Sequence, residues 1–165
     1  MSAELLSTTP LVDKFLESLK NYEGAEFMNH AGELHCRGGA MQKPECFEYG
    51  VGPSRFDCTG LLIKAALEAT DAHIDDWNRR RRHIRELQPL QIWRNAKISA
   101  VPIGAVLLSG MRTDPAAGHI SVFLGDNERI HANSISMRVS IDTIYSPNVT
   151  YMPAEDFIDL GLSRQ

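Results

Sequence analysis

Apolar residues first recur at helical spacing at Leu11, Phe15, Leu16 and Leu19, behind a proline at position 10 that suits the opening turn of a helix. From Glu23 to Pro53 the pattern dissolves into Gly, Pro, His, Cys and Met without a sustained period, which predicts a long loop region. Loops of that length in a compact domain often carry function. After Asp57 the period returns. Leu61, Leu62, Ala65, Ala66 and Ala69 form a wide apolar face with Lys64 and Glu68 on the other side, predicting a central buried helix. A more polar helix is expected over 72–87, ended by Pro89. The last third switches to strand-like runs at 104–109, 119–124, 129–133 and 137–141, with turn residues between them, and Pro153 introduces a short helix over 154–160. Helices followed by antiparallel strands predict an α+β fold rather than an alternating α/β one.

Composition narrows the function classes. The 165 residues, 43% of them hydrophobic, are expected to form one domain over 1–165, with no repeat and no Pro/Gly/Ser linker to divide it. Seventeen basic against 21 acidic residues leave a formal charge of −4, so no general pull toward nucleic acid or acidic membranes is expected. The longest uncharged stretch, between Lys97 and Arg112, is broken by Pro102, Gly104 and Gly110 and is too short for a membrane span. The first seven residues show neither the basic flank nor the apolar run of a signal sequence. The expectation is a chain that is cytoplasmic as synthesised, or delivered by another route. Three cysteines, Cys36, Cys46 and Cys58, are an odd number and not a disulfide scaffold, so at least one thiol needs a reason.

Cys58 supplies one. It stands at the start of the apolar helix, where unpaired backbone N–H groups and the partial positive charge of the first turn favour a thiolate. The alternative is a small buried hydrophobe. A thiolate that attacks a carbonyl also needs an imidazole to move its proton and a third group to orient that imidazole. His119 begins a run in which Ile120, Val122 and Leu124 share one face, leaving the histidine on the other. His131 alternates with Ile130 and Ala132 in the next run. An odd-length connection through 125–127 places residue 131 opposite 121 and diagonal to His119 on the same face; an even one without a bulge turns the two rings to opposite faces.

These residues carry a resemblance. The stretch from Phe56 to Leu62 (FDCTGLL) is similar to the Phe-Asp-Cys-Ser-Gly-Leu motif of the NlpC/P60 cysteine peptidases, cell-wall endopeptidases with a reduced papain-like fold. Residues 118–125 (GHISVFLG) resemble the family's histidine strand, and Arg129-Ile130-His131-Ala132 resembles the segment that supplies its third polar residue. Residues 103–108 resemble the preceding strand, with Ala105 where the family has aspartate. The resemblance implies a papain-like α+β domain with the Cys58 helix packed on an antiparallel sheet. It implies Cys58 as nucleophile, His119 as general base and then acid, and His131 as the residue that fixes its ring. The family lines its site with an upstream Tyr-x-Tyr-Gly-Gly segment. Phe47 stands at the first tyrosine here, so Tyr49 or Tyr22 is left to supply that hydroxyl. Asp57 resembles an acid that meets the free amine of the substrate in some members, and reads equally well as a helix cap.

The function the resemblance implies is thiol hydrolysis of an amide bond in bacterial peptidoglycan stem peptides, with the γ-D-glutamyl to diamino-acid link as the expected bond. Neither metal nor cofactor is expected, because thiolate and imidazole supply the chemistry. The expected partner is the stem peptide, for a monomer acting on the wall after secretion or lysis. An immunity or inhibitor protein would suit an injected effector. An amidase, transpeptidase or acyltransferase would use the same Cys-His set, and a catalytically silent binding domain would keep the fold alone. Two further patterns have bland readings. Cys36 and Cys46 with His30 and His35 make a poor zinc spacing, and pair as a disulfide only in an oxidising compartment. Arg79 to Arg82 read as a solvated helix face.

Overall fold

A threonine opens the first helix. Thr9 has extended backbone and its side chain accepts the Val12 N–H at 3.2 Å, while Pro10 takes the position whose missing N–H costs the helix nothing. The helix that follows, α1 (Pro10–Asn21), buries Val12, Phe15, Leu16 and Leu19, the stripe expected from the spacing. The computed structural model describes residues 8–27, 55–56, 58–71, 91–109, 119–133 and 135–162. The helix expected over 72–87, its arginine run, and Cys36 and Cys46 with their neighbouring histidines lie outside the described residues.

The second described helix, α2 (Cys58–Ala69), is apolar on almost every side, and Leu61, Leu62 and Ala65 are completely buried. It packs against α1, where Ser18 donates to Glu68 and the Tyr22 hydroxyl donates to the other oxygen of the same carboxylate at 2.7 Å. A last helix, α3 (Ala154–Leu162), follows Pro153 as expected and sets Phe157 against Phe15 with ring centroids 6.3 Å apart. No helix among the described residues is long and apolar enough to cross a membrane.

The strands are β1 (Glu26–Phe27), β2 (Arg55–Phe56), β3 (Arg94–Lys97), β4 (Val106–Ser109), β5 (His119–Gly125), β6 (Glu128–Asn133), β7 (Arg138–Thr143) and β8 (Asn148–Met152). They form one sheet in the order β2-β1-β7-β6-β5-β4-β8-β3. Neighbours from β7 through to β3 are antiparallel, and the two-residue strands β1 and β2 add a short parallel pair beyond β7. The α+β expectation therefore holds, with two additions. Residue 26 opens a strand inside the stretch expected to be loop, and β3 and β8 extend the sheet on its far side.

Alternation along the central strands divides the interior. Ile120, Val122, Ile130, Ala132 and Val139 join the helices in the main core, whereas Val101, Ala105, Leu107, Phe123 and Tyr151 form a second cluster. Ala105 is completely buried in that second cluster. An aspartate there would have to be desolvated among apolar neighbours. His119, Ser121, Arg129 and His131 share the strand parity of Phe123, opposite to that of Ile120 and Ile130.

Candidate active site

The register of β5 on β6 decides whether two histidines meet. Asp126 and Asn127 form the connection with positive φ at both residues, 50° and 59°, the geometry of a two-residue hairpin turn. An even connection alone would separate the rings. Between Phe123 and Gly125, however, the ladder shifts by a bulge: Val122 pairs with Ile130 and Phe123 with Arg129, and Gly125 then pairs with Glu128. The extra residue restores odd parity. Continued along the strands, this register sets residue 131 opposite Ser121 and diagonal to His119, as the sequence requires for a shared face.

The imidazoles are bonded directly. Nε2 of His119 lies 2.7 Å from Nδ1 of His131, with the rings edge to face at 71° and their centroids 4.9 Å apart. His131 is only 3% exposed, and its second nitrogen, Nε2, lies 2.8 Å from Oδ2 of Asp142. The other oxygen of Asp142 accepts the Arg129 Nε–H at 2.8 Å. Asp142 is directly opposite Arg129 across β6 and β7, while Ser140 is opposite His131. A line of four polar side chains thus runs His119, His131, Asp142, Arg129 over three adjacent strands.

Sequence reasoning finds the first two and misses the other two. The available signal is the alternation of β7, in which Ser140 and Asp142 alternate with apolar Val139 and Ile141. That places Asp142 on the polar parity, but only the strand pairing brings it to His131.

Cys58 is the first residue of α2, which packs on β5 and β6. The structure therefore brings the two imidazoles into direct contact, and the helix that Cys58 opens packs on their strands. The sulfur is half-buried and lies 3.9 Å from the hydroxyl of Thr59. Tyr22 is not the source of a site hydroxyl. It donates to Glu68, ten residues beyond Cys58 on α2 and about 15 Å along the helix axis. Tyr49 and Asp57 lie outside the described residues. Among the described residues no cluster of His, Cys, Asp and Glu is arranged to hold a metal ion.

Burial controls the charge of this line. It pushes the His119 imidazolium well below the usual 6.5, to about 3, helped by His131 and Arg129 and opposed by Asp142. Burial also lowers His131, against the hydrogen bond it donates to Asp142. Burial by itself would raise Asp142, but hydrogen bonds from Arg129 and His131 hold its carboxyl below the usual carboxylate value. Both rings are therefore neutral at neutral pH, and Asp142 is ionised.

A stability prediction follows from these directions. An unfolded chain binds protons at both histidines below about pH 6.5, whereas the folded chain leaves His119 neutral down to about 3. Stability is complete above that window and declines as pH falls through it, by up to roughly 1.4 kcal/mol per pH unit for each proton bound only on unfolding. Asp142 acts in the same sense at lower pH, since its stabilisation is lost once it is protonated. Urea midpoints should fall from pH 7 to pH 4, and less steeply for His119→Asn; equal slopes for the two proteins would contradict the assignment.

A cavity of about 810 Å³ opens on the same sheet, lined by Lys97, Leu107, Ser109, Ser121, Arg129 and Thr150 among others. Ser109 pairs with His119 across β4 and β5. The buried Ser121 Oγ has no hydrogen-bond partner among the described residues.

The NlpC/P60 family model matches residues 45–154, two thirds of the chain, spanning α2 and both histidine strands. The chain belongs to the NlpC/P60 family. Solved NlpC/P60 structures share its fold. The NlpC/p60 domain of the peptidoglycan hydrolase SagA is 18% identical, with a TM-score of 0.54 over 85% of this chain and 97% of that one. NlpC2 from Trichomonas vaginalis is 15% identical, with a TM-score of 0.59 over 93% of this chain and 50% of its own. The peptidoglycan hydrolase RipB from Mycobacterium tuberculosis is 18% identical, with a TM-score of 0.55 over 85% of this chain and 63% of its own. This chain thus spans half of NlpC2 and less than two thirds of RipB, but nearly all of the SagA domain. No curated protein sequence matches it.

Proposed function

We propose that the chain is a cysteine peptidase that hydrolyses an amide bond in bacterial peptidoglycan stem peptides, the γ-D-glutamyl to diamino-acid link being the preferred bond. The observation that carries this reading is the directly bonded His119–His131 pair, in a chain of the NlpC/P60 family whose Cys58 motif opens a helix that packs on the same strands. SagA and RipB are peptidoglycan hydrolases with this fold, which supports the substrate class.

In the proposed reaction His119 takes the Cys58 proton as the sulfur attacks the scissile carbonyl. The carbonyl oxygen becomes an oxyanion, facing backbone N–H donors at the start of α2. The imidazolium then gives its proton to the leaving amine, the C–N bond breaks, and a thioester to Cys58 remains. Water attacks that thioester with His119 again acting as base, releasing the carboxylate and restoring the thiol. His131 holds the ring of His119 throughout.

Mass spectrometry of purified muropeptides incubated with the protein tests the reading. The expected result is two products whose masses add to that of the substrate plus one water, cut within the stem after the glutamyl residue. A sugar released from an intact stem would replace the reading with an amidase, a mass gain from a second acyl donor with a transferase, and unchanged muropeptides with a silent domain.

A further inference from the structure

The polar line extends past the pair that the proposed reaction uses, and its far end determines which nitrogens carry protons. An ionised carboxylate only accepts hydrogen bonds. Asp142 accepts from Arg129 at Oδ1, so the contact of Oδ2 with His131 requires Nε2 of His131 to carry a hydrogen. A neutral imidazole has one N–H, which leaves Nδ1 of His131 as an acceptor. That nitrogen is 2.7 Å from Nε2 of His119, which must then be the donor. The lone pair of His119 is consequently on Nδ1, and among the described residues this nitrogen has no hydrogen-bond partner.

We propose that Asp142, held in place by Arg129, is a positioning residue that sets the tautomers of both imidazoles and keeps the His119 lone pair on Nδ1 for the Cys58 thiol. The inference rests on the reading of His119 as base. It also gives the carboxylate a second task. When His119 becomes an imidazolium in a desolvated site, Asp142 is the anion that faces it through one intervening ring.

Asp142→Asn makes the sharp test, because Arg129 fixes how the amide sits. The Arg129 Nε–H needs an acceptor, so the amide turns its oxygen to Arg129 and its NH₂ to His131. Nε2 of His131 then becomes an acceptor, Nδ1 a donor, and His119 is driven to carry its hydrogen on Nδ1, where it blocks proton uptake. Long-range ¹H–¹⁵N correlation spectra of the histidine rings read this directly. Both rings should be Nε2-protonated in the wild type and Nδ1-protonated in Asp142→Asn. On muropeptides kcat should fall about 10²-fold with KM nearly unchanged, the upper end of what outer hydrogen-bond partners that orient a functional histidine contribute at metal sites.

Removing the arginine as well frees the amide to rotate. Arg129→Ala combined with Asp142→Asn should return the Nε2-protonated signals and recover about tenfold of the lost kcat, a rescue that a merely structural role does not produce. A wild-type spectrum with Nδ1-protonated His131 overturns the proposal without any variant, as does an Asp142→Asn spectrum identical to wild type. If the expected tautomers appear but wild-type protein leaves muropeptides intact, the hydrolase reading falls while the assignment of Asp142 stands.

Discussion

Cys58→Ala is expected to leave the fold unchanged and to lower muropeptide hydrolysis about 10⁶-fold, the scale seen when a covalent nucleophile is removed from a concerted set of groups. The fold should survive because the side chain is small, half-buried and at a helix end, so its loss opens little space in the core. The activity should not survive, because among the described residues no other thiol stands at the head of the helix that packs on the histidine strands. Thr59 is next in sequence, but it is 2% exposed and carries a hydroxyl far harder to ionise than a thiol. Iodoacetamide labelling of the wild type supplies an independent readout. An inflection below about pH 7 marks a thiolate stabilised at the head of its helix, whereas one near the ordinary ~8.5 marks an inert thiol and the silent-domain alternative. Retained hydrolysis in Cys58→Ala would move the nucleophile elsewhere and remove the basis of the proposed mechanism.

Much of this arrangement is legible in local sequence because its determinants are local. The α2 helix follows from its own apolar spacing, and β5 and β6 from their own alternation, so the faces of His119 and His131 can be read before any pairing is known. The register is less legible. A connection through 125–127 shows the turn but not the bulge, which depends on Gly125 holding φ at 87° while Asp126 and Asn127 both go left-handed. Asp142 is illegible for a different reason. It lies eleven positions after His131, and only the β6–β7 ladder closes that gap. The outer strands escape because they lack the burial that writes a pattern. Every residue of β3 except Ala96 is exposed, and β8 buries only its last two residues, so neither shows alternation.

The largest stability effect expected from a single methyl group is at Gly104, which joins the helical layer to the sheet. Its φ is +94°, and a Cβ built there would come within 2.5 Å of Cγ1 of Val12 and 3.7 Å of the Ala154 side chain. Val12 cannot easily yield. It is 3% exposed at the start of the α1 contact face, and a β-branched side chain on a helix has one strongly preferred rotamer. The backbone is equally constrained, since the Gly104 N–H donates to the Phe123 carbonyl at 2.8 Å and the Phe123 N–H returns to Ala105 at 2.9 Å. Moving residue 104 would therefore disturb β5 beside the bulge that sets the histidine register. Gly104→Ala combines a left-handed backbone penalty of about 1–2 kcal/mol with an overpacking cost of roughly 1–3 kcal/mol. The melting temperature should drop by about 10 °C for a chain of this size. Val12→Ala removes the clash but not the backbone strain, so the double variant should be less destabilised than the sum of the two singles. Strict additivity would show that the methyl group finds space elsewhere and that Val12 does not fix the approach of α1 to the sheet.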